Sequence, residues 1–314
     1  MIFKSGPKLN KLEFCLIMSF IPFQKSKVVP ITLNYKFHTT VDVLRLDEIH
    51  PVVSGNKWFK LKKYVSDALE NNKKGILTYG GPYSNHIVAT AATCKYYNLK
   101  SIGIIRGERP KILSHTLQQA LDYSMQLHFV TRGDYKQKYI PEQVFSRIDL
   151  SEYSIVDEGG YGMKGMMGAR DIIKETDKNE YTHIIAAVGT GTMLSGLIAG
   201  ALPGQKIIGI PVLKDDSLEQ KIKALVLTDR HDFELNYNYH FGGYAKYNPE
   251  LIRFMNNWYE QYGIPTDFVY TGKLFFALHD LLSKDALNKE NNILCIHSGG
   301  LQGNLSLPKG TLIF

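Results

Sequence analysis

Ile76-Leu77-Thr78-Tyr79-Gly80-Gly81-Pro82-Tyr83-Ser84-Asn85-His86 runs from a short apolar segment into a glycine turn, and an alanine-rich segment follows to about Tyr97. The apolar run predicts a strand, Gly80-Gly81-Pro82 a turn, and Ser84 or Asn85 a helix start. The unit recurs downstream, with strands at Ser101–Ile105 and Leu127–Val130 around a helix at Ser114–Met125. Ile155-Val156 closes this block before Glu158-Gly159-Gly160-Tyr161-Gly162, a cluster suited to a loop where backbone approaches a ligand. Upstream, Val41–Leu46 predicts a strand, and Trp58, Leu61, Val65 and Leu69 recur at helical spacing. Beyond the cluster, helices are expected at Met163–Lys174, Met193–Gly200, Ser217–Val226, Pro249–Tyr262 and Gly272–Lys284. Strands are expected at His183–Val188, Ile207–Ile210 and Ile293–Ile296. Strands alternating with helices predict an α/β fold whose parallel sheets are covered on both faces. Ligands then sit beyond the carboxyl ends of the strands.

A chain of 314 residues has room for two modest domains or one large α/β unit. The 44% apolar and 21% charged composition is that of a globular protein. The net charge of +7 comes from scattered lysines, which suits anionic small ligands and gives little support to nucleic-acid binding. Cys15, Cys94 and Cys295 match no zinc or redox spacing and predict reduced thiols in a cytoplasmic protein. The ten histidines show no H-E-x-x-H spacing, so no metal site is expected. Phe14 to Phe23 is apolar but too short to span a membrane; Met18 lies inside it, so residues 1–17 are expected to be an extension upstream of the true start.

Four loops carry residue types suited to chemistry. In Val53-Ser54-Gly55-Asn56-Lys57-Trp58-Phe59-Lys60, a flexible turn delivers Lys57 to a helix start, with Lys60 three residues on. One amine suits imine formation and the other phosphate neutralisation, although a solvated lysine-rich helix start has the same pattern. Gly189-Thr190-Gly191-Thr192, between strand and helix, forms an anion nest with two hydroxyls, or simply a tight turn. It lacks the G-x-G-x-x-G dinucleotide spacing because Leu194 stands at the third glycine, which disfavours an NAD-dependent oxidoreductase; it also lacks a Walker lysine. Ser84 and Asn85 either cap their helix or offer a hydroxyl and an amide to a ligand. No Gly-x-Ser-x-Gly elbow is present, so serine-nucleophile ester chemistry is not expected. His297-Ser298-Gly299-Gly300 places Ser298 at the end of the last strand, with glycines clearing space around it.

Lysine turn, serine-asparagine helix start, phosphate nest and late Ser-Gly-Gly, in that order, resemble fold type II pyridoxal-phosphate enzymes. More closely, residues from about 30 to Asn304 resemble the 1-aminocyclopropane-1-carboxylate deaminase/D-cysteine desulfhydrase family. The resemblance implies a three-layer parallel-sheet fold with a large domain (1–56 and 165–314) and a smaller one (57–164), a pyridoxal 5′-phosphate cofactor, and a homodimer. It implies that Lys57 bonds covalently to the cofactor and that Lys60 and Gly189, Thr190, Gly191 and Thr192 hold its phosphate. Asn85 then lies beside the ring, Ser298 meets the pyridine nitrogen, and Ser84 and Tyr270 face the substrate, with Tyr244 as a second tyrosine. Met193 departs from the family's usual threonine. Deaminases tend to carry Tyr-Glu-Gly-Lys and His-Leu-Gly-Gly, where this chain has Tyr270-Thr271-Gly272-Lys273 and His297-Ser298-Gly299-Gly300. Both departures lean towards D-cysteine desulfhydrase chemistry: loss of a β-leaving group to give a 2-oxo acid, ammonia and sulfide. The alternatives are 1-aminocyclopropane-1-carboxylate deamination and a cofactor-binding regulatory protein without turnover.

Overall fold

The structure, a computed structural model, describes residues 21–314 apart from 35–37, 147, 227–232 and 288–290. Cys15, Met18 and the extension expected over 1–17 lie outside the described residues. In chain order the strands are β1 (Lys27–Asn34), β2 (His38–Arg45), β3 (Gly75–Gly80), β4 (Lys100–Arg106), β5 (Gln126–Val130), β6 (Tyr153–Val156), β7 (His183–Val188), β8 (Lys206–Pro211), β9 (Phe233–Leu235) and β10 (Ile293–His297). The main helices are α1 (Asn56–Glu70), α2 (Asn85–Tyr96), α3 (His115–Asp122), α4 (Met163–Ala169), α5 (Thr192–Gly200), α6 (Leu218–Leu225), α7 (Pro249–Tyr262) and α8 (Thr271–Ser283).

The strands make two sheets. β5-β4-β3-β6 is parallel throughout, and β1-β2-β10-β7-β8-β9 is parallel except for its first pair. Alternation along the strands sorts side chains to two apolar faces. In the larger sheet, Val41, Val43, Ile185, Ile210 and Cys295 pack with Trp258 of α7 and Leu274, Phe275 and Leu278 of α8. Leu44, Ile184, Ala186, Val188 and Ile296 pack on the opposite side with Leu194, Leu197 and Ile198 of α5 and Ile222 of α6. Burial on both faces is why these strands read as nearly continuous apolar runs. The smaller sheet is covered likewise: Ile76 and Val156 meet Tyr64 and Val65 of α1, Ile105 meets Leu117 and Ala120 of α3, and Leu77 and Ile104 meet Tyr135 and Val144.

Three features depart from the expected elements. β1 was not expected, and it pairs antiparallel with β2, so the larger sheet is not wholly parallel. Pro30 within it interrupts the strand signal and is tolerated because β1 is the sheet's edge. β9, three residues long, closes the opposite edge. The helix expected over Met163–Lys174 is α-helical only to Ala169 and tightens to a 3-10 helix over Arg170–Glu175. The Gly81–Ser84 turn, the Glu158–Gly160 turn, the Gly189–Gly191 loop and the Ser298–Gly300 loop all follow strand carboxyl ends, where parallel sheets bind ligands.

Candidate active site

The lysine turn is bound to the end of β10. Gly55 has φ +63°, and a Cβ there would lie 1.9 Å from the Ser298 carbonyl oxygen, so only glycine lets the two backbones meet. The Asn56 N–H donates to that same carbonyl at 3.1 Å, and α1 begins there. Lys57 therefore emerges in the first helical turn. Its Nζ donates to Asn56 Oδ1 at 2.7 Å and lies 5.8 Å from the Tyr270 ring centre. Burial lowers its ammonium from 10.5 to about 8, against an opposing pull from Asp267. Lys60, one turn on, is buried and donates to the Gly159 carbonyl at 3.1 Å. Burial, and next the charge on Lys57, bring Lys60 to about 7. An anion bound beside the two depressed amines would favour their charged forms.

Across the cavity, Ser84 is the N-cap of α2 and accepts from the Ile87 N–H at 3.4 Å, a long contact that leaves its own proton available. The Asn85 amide donates to the Gly300 carbonyl at 3.4 Å, while its buried Oδ1 has no protein partner. A buried amide oxygen left without a partner is costly, and a ligand group would satisfy it. His86 is buried next to it. The Thr78 hydroxyl donates to the Val156 carbonyl at 2.8 Å, so it accepts from His86 Nε2 at 3.0 Å, and His86 is neutral with its proton there. Burial, then Lys60 and Lys57, push the His86 imidazole down to about 3.

In the glycine loop, Gly191 has φ +85° and precedes α5, whose first turn has no side-chain cap. Its amides are free to face an anion. The Thr190 and Thr192 hydroxyls lie 3.0 Å apart. Met193 does not offer a hydroxyl. Its Sδ accepts from Asn56 Nδ2 at 3.2 Å, so this departure from threonine links the loop to the residue that holds Lys57.

Tyr270 closes the site. Its hydroxyl donates to that of Tyr244 at 3.3 Å, and burial keeps its proton well above the usual tyrosine range. Asp267, wholly buried, accepts from the N–H groups of Val269, Tyr270 and Thr271 and from the Thr271 hydroxyl, which fixes the start of α8.

Lys57, Lys60, Ser84, Asn85, Gly189, Thr190, Gly191, Tyr244 and Tyr270 line one cavity of about 730 Å³. Thr192 and Ser298 are not among its lining residues. Thr192 is buried behind Thr190, and Ser298 meets the turn through its main chain. Asn56, His86, Arg106 and Glu158 also line the cavity and were not singled out from sequence. Nor was Asp267, whose signal was its position three residues before the N-cap of a helix, where a carboxylate takes free amides.

A lysine amine, a glycine nest and an unsatisfied amide lining one cavity fit a phosphorylated aromatic aldehyde such as pyridoxal 5′-phosphate, with Lys57, residues 189–191 and Asn85 available to hold it. Comparison with known proteins agrees. The family model for pyridoxal-phosphate dependent enzymes matches residues 38–299. The bifunctional D-cysteine desulfhydrase/1-aminocyclopropane-1-carboxylate deaminase of Arabidopsis thaliana is 26% identical, over 80% of this chain and 70% of its own. The D-cysteine desulfhydrase of Salmonella typhi is 27% identical, over 82% of this chain and 86% of its own. A crystal structure of an ACC deaminase homologue superposes with a TM-score of 0.76 at 23% identity, covering 95% of this chain and 96% of that one. The architecture is thus the expected fold type II arrangement of layered α/β sheets. The chain belongs to the pyridoxal-phosphate-dependent enzyme family.

Proposed function

We propose that the protein catalyses α,β-elimination from D-cysteine, with water completing the conversion to a 2-oxo acid, ammonia and sulfide. The observation that carries this reading is the convergence of Lys57, Ser84, Asn85 and Tyr270 on one cavity beside a helix N-terminal nest. When bound, the cofactor supplies the electron sink for charge developing at the substrate Cα. Lys57, brought to about 8, is neutral in part near neutral pH and accepts the Cα proton at Nζ; Asn56 orients that amine. The Cβ–S bond breaks with its electron pair leaving on sulfur. The paired Tyr270 and Tyr244 hydroxyls hold two protons; one bridges them and the other offers a hydrogen bond as that charge departs. Ser84 offers its hydroxyl to the substrate carboxylate. Lys60 and residues 189–192 hold the phosphate, and Ser298 serves the pyridine nitrogen.

Threonine at 271 supports elimination over cyclopropane opening. It is wholly buried, and its hydroxyl both donates to Asp267 Oδ1 and accepts from the Asp267 N–H, each at 2.8 Å. A glutamate there would force a second carboxylate against Asp267. The second reading, deamination of 1-aminocyclopropane-1-carboxylate, is favoured by the Arabidopsis relative, whose name carries both activities. We also propose the division into 1–56 with 165–314 and 57–164, which the separate sheet of β3–β6 supports. A homodimer and a cytoplasmic location complete the reading, the latter supported by free thiols at Cys94 and Cys295. Among the described residues no helix is long and apolar enough to cross a membrane.

The test is an amino-acid panel scored for sulfide, ammonia and 2-oxo acid. Sulfide from D-cysteine is expected; 2-oxobutanoate from 1-aminocyclopropane-1-carboxylate without sulfide would overturn the reading. Thr271→Glu with Ser298→Leu is expected to lower sulfide release, and unchanged kinetics would remove the argument from these positions.

A further inference from the structure

Lys273 lies three residues beyond Tyr270 on α8 and has no exposed surface. Its ammonium donates to three main-chain carbonyls: Gly243 at 2.8 Å, His240 at 2.9 Å and Val212 at 3.4 Å. Burial pushes it down to about 8 and Asp267 pulls the other way. Hydrogen bonds donated to these carbonyls further favour the charged form. Removing an ammonium from water is expensive, so a cation given to two carbonyls of the 240–245 loop and to that of Val212, just past β8, ties the loop to the end of the sheet.

That loop is strained. Phe241 has φ +51° and Ala245 +54°, in the left-handed region that side chains disfavour, and Gly242 and Gly243 between them have +91° and +122°. Such conformations persist only where surrounding contacts over-determine them, and they gather at functional sites. Tyr244 sits inside this turn. Its hydroxyl accepts from Tyr270 at 3.3 Å, and the two rings meet edge to face with centroids 6.0 Å apart. One helix therefore carries both Tyr270 and the cation that fixes the turn bearing Tyr270's partner.

We infer that Lys273 is a positioning residue, whose ammonium clamps the 240–245 turn so that the Tyr244 hydroxyl rests against Tyr270 beside Lys57. This rests on the proposed part of the two tyrosines in turnover. Without the cation, three carbonyls lose their donor, the turn relaxes, and Tyr270 loses its acceptor.

The test combines hydrogen exchange with a double-mutant cycle on the cofactor-loaded protein. In Lys273→Met, amides of 241–245 are expected to exchange at least tenfold faster while those in the middle of α8 stay protected. Turnover should fall at least tenfold, chiefly in kcat, with the visible cofactor band retained. Tyr244→Phe should lower turnover similarly, and the double variant should be no worse than Lys273→Met alone. Should Lys273→Met fail to fold, Gly243→Ala forces a side chain onto φ +122° with Lys273 untouched, and the same exchange and turnover changes are expected. Unchanged exchange in the turn, or losses that multiply in the double variant, would overturn the inference. A silent Tyr244→Phe would instead remove Tyr244 from the reaction, and with it the catalytic half of the inference, while the exchange result still decides the clamp.

Discussion

Replacing Lys60 by methionine is expected to move stability and cofactor affinity in opposite directions. Lys60 is 6% exposed, and its ammonium falls from 10.5 to about 7 through burial and then the charge of Lys57. Each pH unit of depression corresponds to about 1.4 kcal/mol, so at pH 7 the cofactor-free native state carries a penalty on the order of 4 kcal/mol. Because the folded value is the lower one, the native state holds fewer protons than the unfolded chain between about pH 7 and 10.5. Stability therefore rises with pH across that window, and the full penalty applies below it. Methionine fills a similar volume without the charge. After discounting for relaxation and lost contact with the Gly159 carbonyl, Lys60→Met should stabilise the cofactor-free protein by about 2 kcal/mol and flatten its pH dependence above neutrality. Cofactor binding should show the reverse. Losing a charge-assisted hydrogen bond to phosphate costs about 1.5–3 kcal/mol, or roughly 10- to 100-fold in affinity. Urea unfolding of the cofactor-free protein at pH 7 and 9, with titration of the cofactor by absorbance, measures both. Lower cofactor-free stability with unchanged affinity would show that Lys60 serves only the Gly159 carbonyl, and would refute the reasoning.

Gly191→Ala puts a side chain at φ +85° with its Cβ 2.8 Å from Ile222 Cγ1; a stability loss of about 1–2 kcal/mol and weaker cofactor binding are expected from unfolding and titration. Asn56→Ala removes the acceptor of the Lys57 amine, and losing a bond that favours the charged form should lower its titration below about 8 by roughly 1–2 pH units, read from the pH dependence of covalent cofactor attachment. His86, held neutral with its imidazole at about 3, cannot take the proton that the unfolded chain binds below 6.5. Cofactor-free stability should thus fall as pH drops from 6.5 towards 3, by up to about 1.4 kcal/mol per unit from this group, and His86→Asn should reduce that slope in acid unfolding.

The order of strands and helices was legible because both sheets are buried on two faces, which leaves short apolar runs between glycine turns, as at Ile76–Tyr79 and His183–Val188. The edges were not. β1 carries Pro30, which reads against a strand, and β9 is too short to give a pattern. The lysine turn, the Ser84-Asn85 helix start and the glycine loop were legible because helix N-termini and left-handed glycines need particular residue types in series. Asp267 was missed although its spacing before α8 was there to read; Asn56 and Lys273 escaped notice because their partners, a thioether and main-chain carbonyls, are distant in sequence. Contacts of that kind leave no spacing to read. Thr192 and Ser298 add contacts that residue type alone does not reveal: the Thr192 hydroxyl meets that of Thr190, and the Ser298 carbonyl meets the lysine turn.

The central claim is that Lys57 is the cofactor's covalent attachment point. Reducing the loaded protein with borohydride and mapping the modified peptide tests it directly. The label is expected on Lys57 alone, with loss of the visible band and no labelling in Lys57→Ala. A label on Lys60, or a band and label that survive in Lys57→Ala, would contradict the account.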